Sequence, residues 1–387
     1  AVRADPARRG LLYAGTEHGV YVSWNDGATW RSLSLDLPDT QVPDLVVEGN
    51  DLVIATHGRS MYVLDDITPI REWRDDADTA SLRLMPVPTA TRGVDAAAVQ
   101  YALGRRADTV QVEILDGAGR VIRTFTGGTT RADSSRADST AARATPATPA
   151  DTIMSPTGCE TPRRRQSAAR PGGQPGLNRF AWDLRYPGAT TFDCMIIWSA
   201  SPDQGPVAPP GRYQVRVTAN GIARTQPVVV RMDPRLRGVS AADLREQFDL
   251  AMRIRDRVSA ANDAVLRIRR MRSQLAARVA QAPELARQGD SASRALRAVE
   301  ERLYQVQNRS GQDPLNYPIR INNRMAALGR SVQSGDARPT AAAYVVFREL
   351  SAELDVELRR LDAVVASDVA AFDRSAVARG LAPLIRQ

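Results

Sequence analysis

Short alternating runs of apolar and polar residues fill the first 72 positions of the chain. Runs of this kind, rich in Val, Ile, Leu and Tyr and separated by Gly, Asn and Asp, are typical of strands joined by tight turns. They predict six strands, at residues 11–16, 19–23, 30–35, 42–47, 51–55 and 60–64. This density of short strands is typical of β-propeller blades, so the region is predicted to hold the last blades of a partial propeller.

A second β-rich region is predicted over residues 73–237. Val110–Leu115 alternates strictly and is followed by the Asp116–Gly119 turn and a returning run from Val121, which predicts a half-buried hairpin. Further strands are predicted at residues 178–184, 211–217 and 228–230. Regular strands separated by Pro and Gly, without a helical period, favour an immunoglobulin-like β-sandwich.

A polar insert interrupts this second region at about residues 127–176. Its middle contains only two large aliphatic residues, Ile153 and Met154, and repeats the tetrapeptide Arg-Ala-Asp-Ser. Such a composition buries too little apolar surface to offset the entropy of ordering the backbone, which predicts a disordered loop. The alternative is an electrostatic docking arm built on Arg163-Arg164-Arg165, although acidic residues are interspersed with its arginines.

The hydrophobic period changes to three and four residues from Ser240 onward. Ser240 followed by Asp243 is a capping-box pattern, and the apolar stripe that follows predicts a helix of about ten turns. Ala282-Pro283 and Gly289-Asp290 are predicted to mark its end. Later stripes predict helices around residues 296–306, 321–332 and 344–365. Amphipathic helices of this length predict an antiparallel helical bundle over residues 238–387.

The net charge of +8 raises the question of nucleic-acid binding. All 52 basic residues are arginine, and they alternate with Asp and Glu along the predicted helices. A phosphate-binding surface needs uncompensated positive charge on one face, so the sequence argues against a nucleic-acid partner. No apolar run reaches the roughly 18 residues of a membrane span. The chain shows no signal peptide, and we expect any targeting signal to precede Ala1.

The few cysteines and histidines limit the metal chemistry of the chain. Cys159 and Cys194 are the two cysteines, which leaves either one disulfide in an oxidising compartment or two unpaired thiols. With only His18 and His57 as histidines, a centre with several histidine ligands is excluded. The sequence therefore predicts no metal site and no cofactor.

Residues 23–30, Ser-Trp-Asn-Asp-Gly-Ala-Thr-Trp, fit the Asp-box pattern of Ser, any, Asp, any, Gly, any, any, Trp. In this turn a short polar side chain accepts backbone N–H groups, glycine permits a positive φ, and tryptophan packs beneath the turn. Asn25 replaces the usual aspartate, and Asp26 stands beside it. The amide keeps an acceptor and loses the charge, so Ser23, Asn25, Asp26, Gly27 and Trp30 are predicted to form a structural turn.

Residues 42–66, with Ala55-Thr56-His57-Gly58-Arg59-Ser60 and Val63-Leu64-Asp65-Asp66, resemble the last blade of a known family. These are the bacterial BNR/Asp-box repeat proteins labelled glycosyl hydrolases, which are related in architecture to sialidase and sortilin propellers. Residues 180–187, 210–213 and 315–319 extend the resemblance to nearly the whole chain apart from the insert. It implies a secreted or periplasmic multi-domain protein with carbohydrate as a ligand class, of which this chain is the C-terminal portion.

The candidate ligand-facing residues in this blade are few. His57 and Arg59, with Tyr62 nearby, could face a ligand with Arg59 on a carboxylate, but bracing of the strand turn is the favoured interpretation. Asp65 and Asp66 are adjacent, so their side chains point to opposite faces and are predicted to cap a strand end. Glycoside hydrolysis needs two carboxylates across a cleft, and a sialidase needs an arginine cluster with a Tyr–Glu nucleophile spread over several blades. The sequence contains no complete active site.

Two functional hypotheses follow. The first is a non-catalytic C-terminal region in which the sandwich and the bundle stabilise or present a sialidase-like propeller. The second is a sortilin-like binding or assembly module, whose helical bundle docks a partner. Exposed strand edges of a partial propeller need to be covered by the remaining blades of the same protein or by a partner chain.

Overall fold

The computed structural model describes residues 1–35, 37–73, 82–129 and 170–385. Within them, strands occupy the N-terminal and central parts of the chain and helices occupy the C-terminal part. The fold is therefore β plus α, as the periodicity predicts. The middle of the polar insert, residues 130–169, lies outside the described residues, and so does Cys159.

The N-terminal region consists of two antiparallel sheets and one short helix. Its elements are β1 (Val2–Ala4), β2 (Leu12–Thr16), β3 (Gly19–Ser23), β4 (Arg31–Ser32), β5 (Asp44–Glu48), β6 (Asp51–Ala55), β7 (Met61–Leu64) and α1 (Thr68–Glu72). Strands β1 to β4 form one sheet and β5 to β7 the other, each in sequence order. Alternate residues of each strand point inward, so Tyr13 and Val22 meet Leu45 and Ile54 in one shared hydrophobic core.

A buried ion pair closes this region. The Asp5 carboxylate is fully buried and accepts the Arg71 Nε–H at 2.9 Å. Arg71 also donates to Asn50 Oδ1 at 2.7 Å and to the Gly49 carbonyl at 3.0 Å. One side chain at the end of α1 thus joins the first sheet to the β5–β6 hairpin, which fixes the two sheets relative to each other.

Ten strands lie in the described residues of the central region. They are β8 (Leu82–Leu84), β9 (Ala90–Thr91), β10 (Ala97–Leu103), β11 (Val110–Leu115), β12 (Val121–Gly127), β13 (Gly176–Trp182), β14 (Arg185–Pro187), β15 (Gln204–Val207), β16 (Gly211–Ala219) and β17 (Ile222–Arg231). One sheet has the order β13-β10-β8 and a second has the order β12-β11-β16-β17-β9, while β14 pairs with β15. Both larger sheets contribute to one core around the fully buried Trp182, whose ring meets Tyr213 edge-on at 5.4 Å.

The C-terminal region is helical. Its elements are α2 (Ala241–Gln281), α3 (Ala286–Leu303), α4 (Ile321–Val332), α5 (Ala341–Val364), a π-helical turn (Val365–Val369) and α6 (Ala370–Val377). The predicted capping box is confirmed, since Ser240 Oγ accepts the Asp243 N–H and Asp243 accepts the Ser240 N–H. The buried stripe of α2 contributes to two adjoining hydrophobic clusters, which α3, α4, α5 and α6 complete.

Two strand predictions extended too far, for the same reason. Residues 30–35 were expected to be strand, yet β4 ends at Ser32, and Leu35 has a φ of +48°. Likewise β13 ends at Trp182, and Leu184 has a φ of +56°. Leucine seldom adopts this left-handed conformation, so an apolar run gives no warning that the extended backbone stops before it.

Candidate functional site

The Asp-box residues form a hydrogen-bonded turn at the end of β3. Ser23 is fully buried, and its Oγ accepts the Gly27 N–H at 2.9 Å. Asn25 Oδ1 accepts the Thr29 N–H at 2.9 Å, while Asp26 and Gly27 have φ values of +58° and +87°. Every polar contact of Ser23 and Asn25 here is local, so the turn itself uses the groups that a ligand would need.

Loss of the Ser23 hydroxyl is expected to destabilise this turn. Ser23→Ala would leave the Gly27 N–H without its acceptor in a partly buried position, at a cost of about 1 kcal/mol. Urea unfolding followed by tryptophan fluorescence measures this loss. Ser32→Ala is the matched control, because Ser32 is exposed on β4. Equal unfolding midpoints for the two variants would contradict the structural role of Ser23.

The candidate residues His57, Arg59 and Tyr62 do not converge on a site. His57 Nδ1 lies 3.2 Å from Gln41 Oε1, and its backbone N–H donates to the Gln41 carbonyl at 2.8 Å. These bonds hold the β6–β7 turn against the segment that precedes β5, while Arg59 is exposed in the same turn. Tyr62 lies on β7 opposite Ile54 and is 36% exposed. His57 therefore stabilises the β6–β7 turn, as the favoured interpretation predicts.

Of the adjacent Asp65 and Asp66, Asp66 makes the side-chain contacts at the end of β7. Asp66 has a φ of +55°, and its Oδ1 accepts the Thr68 N–H at 3.2 Å at the start of α1. Its Oδ2 accepts Gln100 Nε2 at 2.7 Å, a bond that reaches from the N-terminal region to β10 in the central region. Asp66 therefore ends β7 and links two regions of the chain.

Tyr13 and Asp5 form a tyrosine–carboxylate pair in the N-terminal region, but both residues are buried. Tyr13 donates to Asp5 Oδ2 at 3.3 Å, and burial raises the pKa of Tyr13 well above its usual range. Tyr13 is fully buried, and Asp5 is already paired with Arg71. A buried phenol with a raised pKa stays protonated at neutral pH and has no access to substrate, so this pair supports packing.

The outer face of the β5–β7 sheet is an exposed apolar surface. Val46 lies opposite Val53, and Val53 lies opposite Val63, so the three valines form a row across the sheet. Met61 continues the patch one step along β7, since side chains two apart on a strand share a face. Val46, Val63 and Met61 are 48%, 54% and 67% exposed. We call these four residues the outer valine face.

The neighbouring edge of the same sheet is also unpaired. In the described part of the chain, β6 is the only strand that pairs with β7, although the first sheet has four strands. An apolar edge strand with unpaired backbone groups is a template for a further strand. The outer valine face and the β7 edge together form a surface suited to another sheet.

The central and helical regions are joined through one buried cation. Arg92 is 3% exposed, and it donates to the Ala208 carbonyl at 3.1 Å and to Gln247 Oε1 at 2.9 Å. Its Nη1 also contacts the Asp336 carboxylate. Gln247 in turn donates to the Val332 carbonyl at 2.9 Å. This cluster could not be predicted from the sequence, because a single arginine after a short strand gives no sign of burial.

A connecting segment of the central region also reaches into the helices. We call residues 188–203, between β14 and β15, the strap. Inside it Phe192 packs edge-on against Tyr304 at 5.0 Å. Tyr304 Oη accepts the Ile196 N–H at 3.0 Å and donates to the Cys194 carbonyl at 3.0 Å. The strap thus fixes the helices to the β14–β15 hairpin through buried contacts.

The strap also carries the disulfide candidate. Cys194 is disulfide-bonded, whereas Cys159, the other member of the predicted pair, lies outside the described residues. A disulfide is typical of an oxidising compartment.

The described residues contain neither a metal-binding cluster nor a membrane-spanning helix. Among them no cluster of three or more His, Cys, Asp or Glu side chains is arranged to hold a metal ion. None of the helices placed by the structure combines the length and apolar character that a membrane span requires.

Comparison with known proteins gives no match. No family model, no curated protein and no solved structure is significantly similar to this chain.

Proposed function

We propose that this chain is the non-catalytic C-terminal region of a larger sialidase-like β-propeller protein. In this proposal the two N-terminal sheets are propeller blades, the central region is an immunoglobulin-like sandwich, and the helices form a bundle that supports both. The observation that carries the proposal is the outer valine face beside the unpaired β7 edge. Propeller blades pack face to face, and the two N-terminal sheets already pack in this way through their shared core.

The size of the patch supports a permanent contact. Val46, Val63 and Met61 are each about half exposed or more; both valines lie opposite Val53, and Met61 lies opposite Ala55, two residues further along β6. Isolated apolar residues on a surface are ordinary, but a contiguous patch beside an unpaired strand marks an interface. A further sheet packed on this face would bury the valines, and a further strand in line with the sheet would pair the β7 edge.

The rest of the chain fits a presenting role. Arg92 and the strap join the central and helical regions through buried polar contacts, and the Gln100–Asp66 bond reaches the N-terminal region. Through these contacts the helical and central regions would support the N-terminal blades. The disulfide-bonded Cys194 supports a secreted or periplasmic location.

The alternative is a sortilin-like assembly module with a partner on the helical bundle, and it has weaker support. The exposed valines of α5 are Val345, Val346 and Val356. Val345 and Val356 are about three helical turns apart, with the acidic Glu349 between them. Such a dispersed pattern is typical of a solvated helix surface.

Sedimentation velocity tests the outer valine face. We expect the chain to self-associate with rising concentration, because its apolar face and edge are free to pair with a second copy. The double variant Val46→Lys/Val63→Lys is expected to reduce the weight-average mass to that of a monomer. Val121→Lys is the matched control, since Val121 is 48% exposed on the edge strand β12. A monomeric starting protein, or equal association of all three, would contradict the proposal.

An activity assay tests the non-catalytic part of the proposal. The chain is expected to release no fluorophore from methylumbelliferyl glycosides of neutral sugars or of sialic acid. Turnover above the rate of a heat-unfolded sample would contradict it.

A further inference from the structure

A cleft of about 630 Å³ lies where the central region meets the helices. The β14–β15 hairpin and the strap form one wall, while α2 and α4 form the other. Its apolar floor includes Ala251, Ile254 and Ala326. The volume lies within the range of small-molecule sites, which are mostly apolar with a few polar groups that orient the ligand.

The charged side chains that line this cleft are all arginines. Arg185, Arg255 and Arg330 line it, and of the described residues that line it none is acidic. The three arginines come from three different elements, β14, α2 and α4. Their convergence is notable in a chain whose arginines otherwise alternate with acidic residues along the helices.

Each of the three guanidinium groups is held by the protein. Arg185 donates to the Gly205 carbonyl at 2.9 Å, and Arg330 donates to the Ser199 carbonyl at 2.7 Å. Arg255 donates to the Pro187 carbonyl at 3.2 Å and pairs with Asp256, whose side chain is 63% exposed. A guanidinium carries five N–H donors, so the one to three contacts of each arginine orient the group and leave donors for a ligand.

The charge of Arg185 also acts on the buried Arg92. Burial, followed by the charge of Arg185, lowers the pKa of Arg92 to about 10. Arg92 remains protonated at neutral pH.

We propose that this cleft binds a small amphipathic organic anion. A carboxylate, sulfonate or phosphate group of the ligand lies among Arg185, Arg255 and Arg330, and its apolar body lies on Ile254 and Ala326. Arginine suits this role because its planar donors match the oxygens of such groups. The site is independent of the outer valine face, so this proposal and the propeller proposal fail separately.

Dye binding tests the proposal on the full chain. The probe is 1-anilinonaphthalene-8-sulfonate, an aromatic sulfonate that fluoresces in apolar sites, and the neutral N-phenyl-1-naphthylamine is the comparison. Both are titrated in the Val46→Lys/Val63→Lys background, which removes the other apolar patch. We expect the sulfonate to bind at least tenfold more tightly than the neutral dye, with an affinity that falls as salt screens the arginines.

Two kinds of variant locate the binding. Arg255→Gln/Arg330→Gln is expected to weaken sulfonate binding at least tenfold, which corresponds to about 1.4 kcal/mol, and to leave the neutral dye unchanged. Arg324→Gln is the matched control, since Arg324 lies on the same helix and pairs with Glu353 outside the cleft lining. Ser201→Trp keeps all three arginines and places a large ring at the exposed rim, so it should weaken both dyes.

Circular dichroism confirms that each variant is folded before titration. The proposal is overturned if the neutral dye binds as tightly as the sulfonate. It is also overturned if Ser201→Trp, which alters no charge, leaves both affinities unchanged.

Discussion

Replacing Arg92 by methionine is expected to lower the free energy of unfolding by about 3 kcal/mol, because the Asp336 carboxylate, which is only 18% exposed, loses its cation. Methionine fills a similar volume and cannot donate. The change leaves the Asp336 carboxylate, Gln247 Oε1 and the Ala208 carbonyl without the donor that joins them. The effect is read from the midpoint and slope of urea unfolding, followed by far-ultraviolet circular dichroism.

Two further variants separate this loss from a general effect of removing an arginine. Arg235→Met removes an arginine that is 75% exposed and pairs with Asp233, and no measurable shift of the midpoint is expected. Arg92→Met/Asp336→Leu removes both charges and should recover part of the stability, because no buried charge is left unpaired. A single Arg92 variant as stable as the Arg235 control would show that the two regions are held together by other contacts.

The positions of several strands and helices could be predicted from the sequence. The predicted strands at 19–23 and 51–55 match β3 and β6, and the predicted helix at 321–332 matches α4. The capping box at Ser240 fixed the start of α2 to the residue. These features depend on neighbours two to four positions away, so a periodic pattern is enough to predict them.

The prediction that Gly289 helps to end the long helix was wrong. Gly289 lies inside α3, where a Cβ atom would come within 2.5 Å of Val279 Cγ2 and 3.2 Å of the Phe372 ring. Glycine stands here because α3 passes close to the end of α2 and to α6. Ala282-Pro283 alone mark the end of α2. A glycine required by packing and a glycine required by a turn are identical in a single sequence.

The arginine-lined cleft could not be predicted from the sequence for a similar reason. Arg185, Arg255 and Arg330 are far apart in the chain and converge only when the strap folds onto the helices. The strap combines Gly, Ser, Thr and Pro with the apolar run Met195-Ile196-Ile197-Trp198, and its pattern has neither a strand nor a helix period. Nothing in its periodicity indicates that Phe192 and Met195 are half-buried against the helices.

The strap itself provides the second large effect that we expect. Asn262 on α2 is fully buried, donates to the Thr190 carbonyl at 2.7 Å and accepts Asn322 Nδ2 at 3.0 Å. Asn262→Ala would leave both partners unsatisfied and open a small cavity, at a cost of about 2–4 kcal/mol. Because the strap also forms one wall of the cleft, the same change should weaken binding of the sulfonate dye.

Hydrogen exchange with peptide-level mass spectrometry distinguishes release of the strap from a uniform loss of stability. Three strap amides, of Thr190, Ile196 and Trp198, donate to side chains of the helical region. In Asn262→Ala, peptides from residues 188–203 should exchange faster, while those from β16 keep the rate of the unaltered protein. Asn316→Ala is the control, since Asn316 is exposed outside the strap. Equal acceleration in the strap and in β16 would mean that Asn262 stabilises the whole fold, with no specific role in holding the cleft wall.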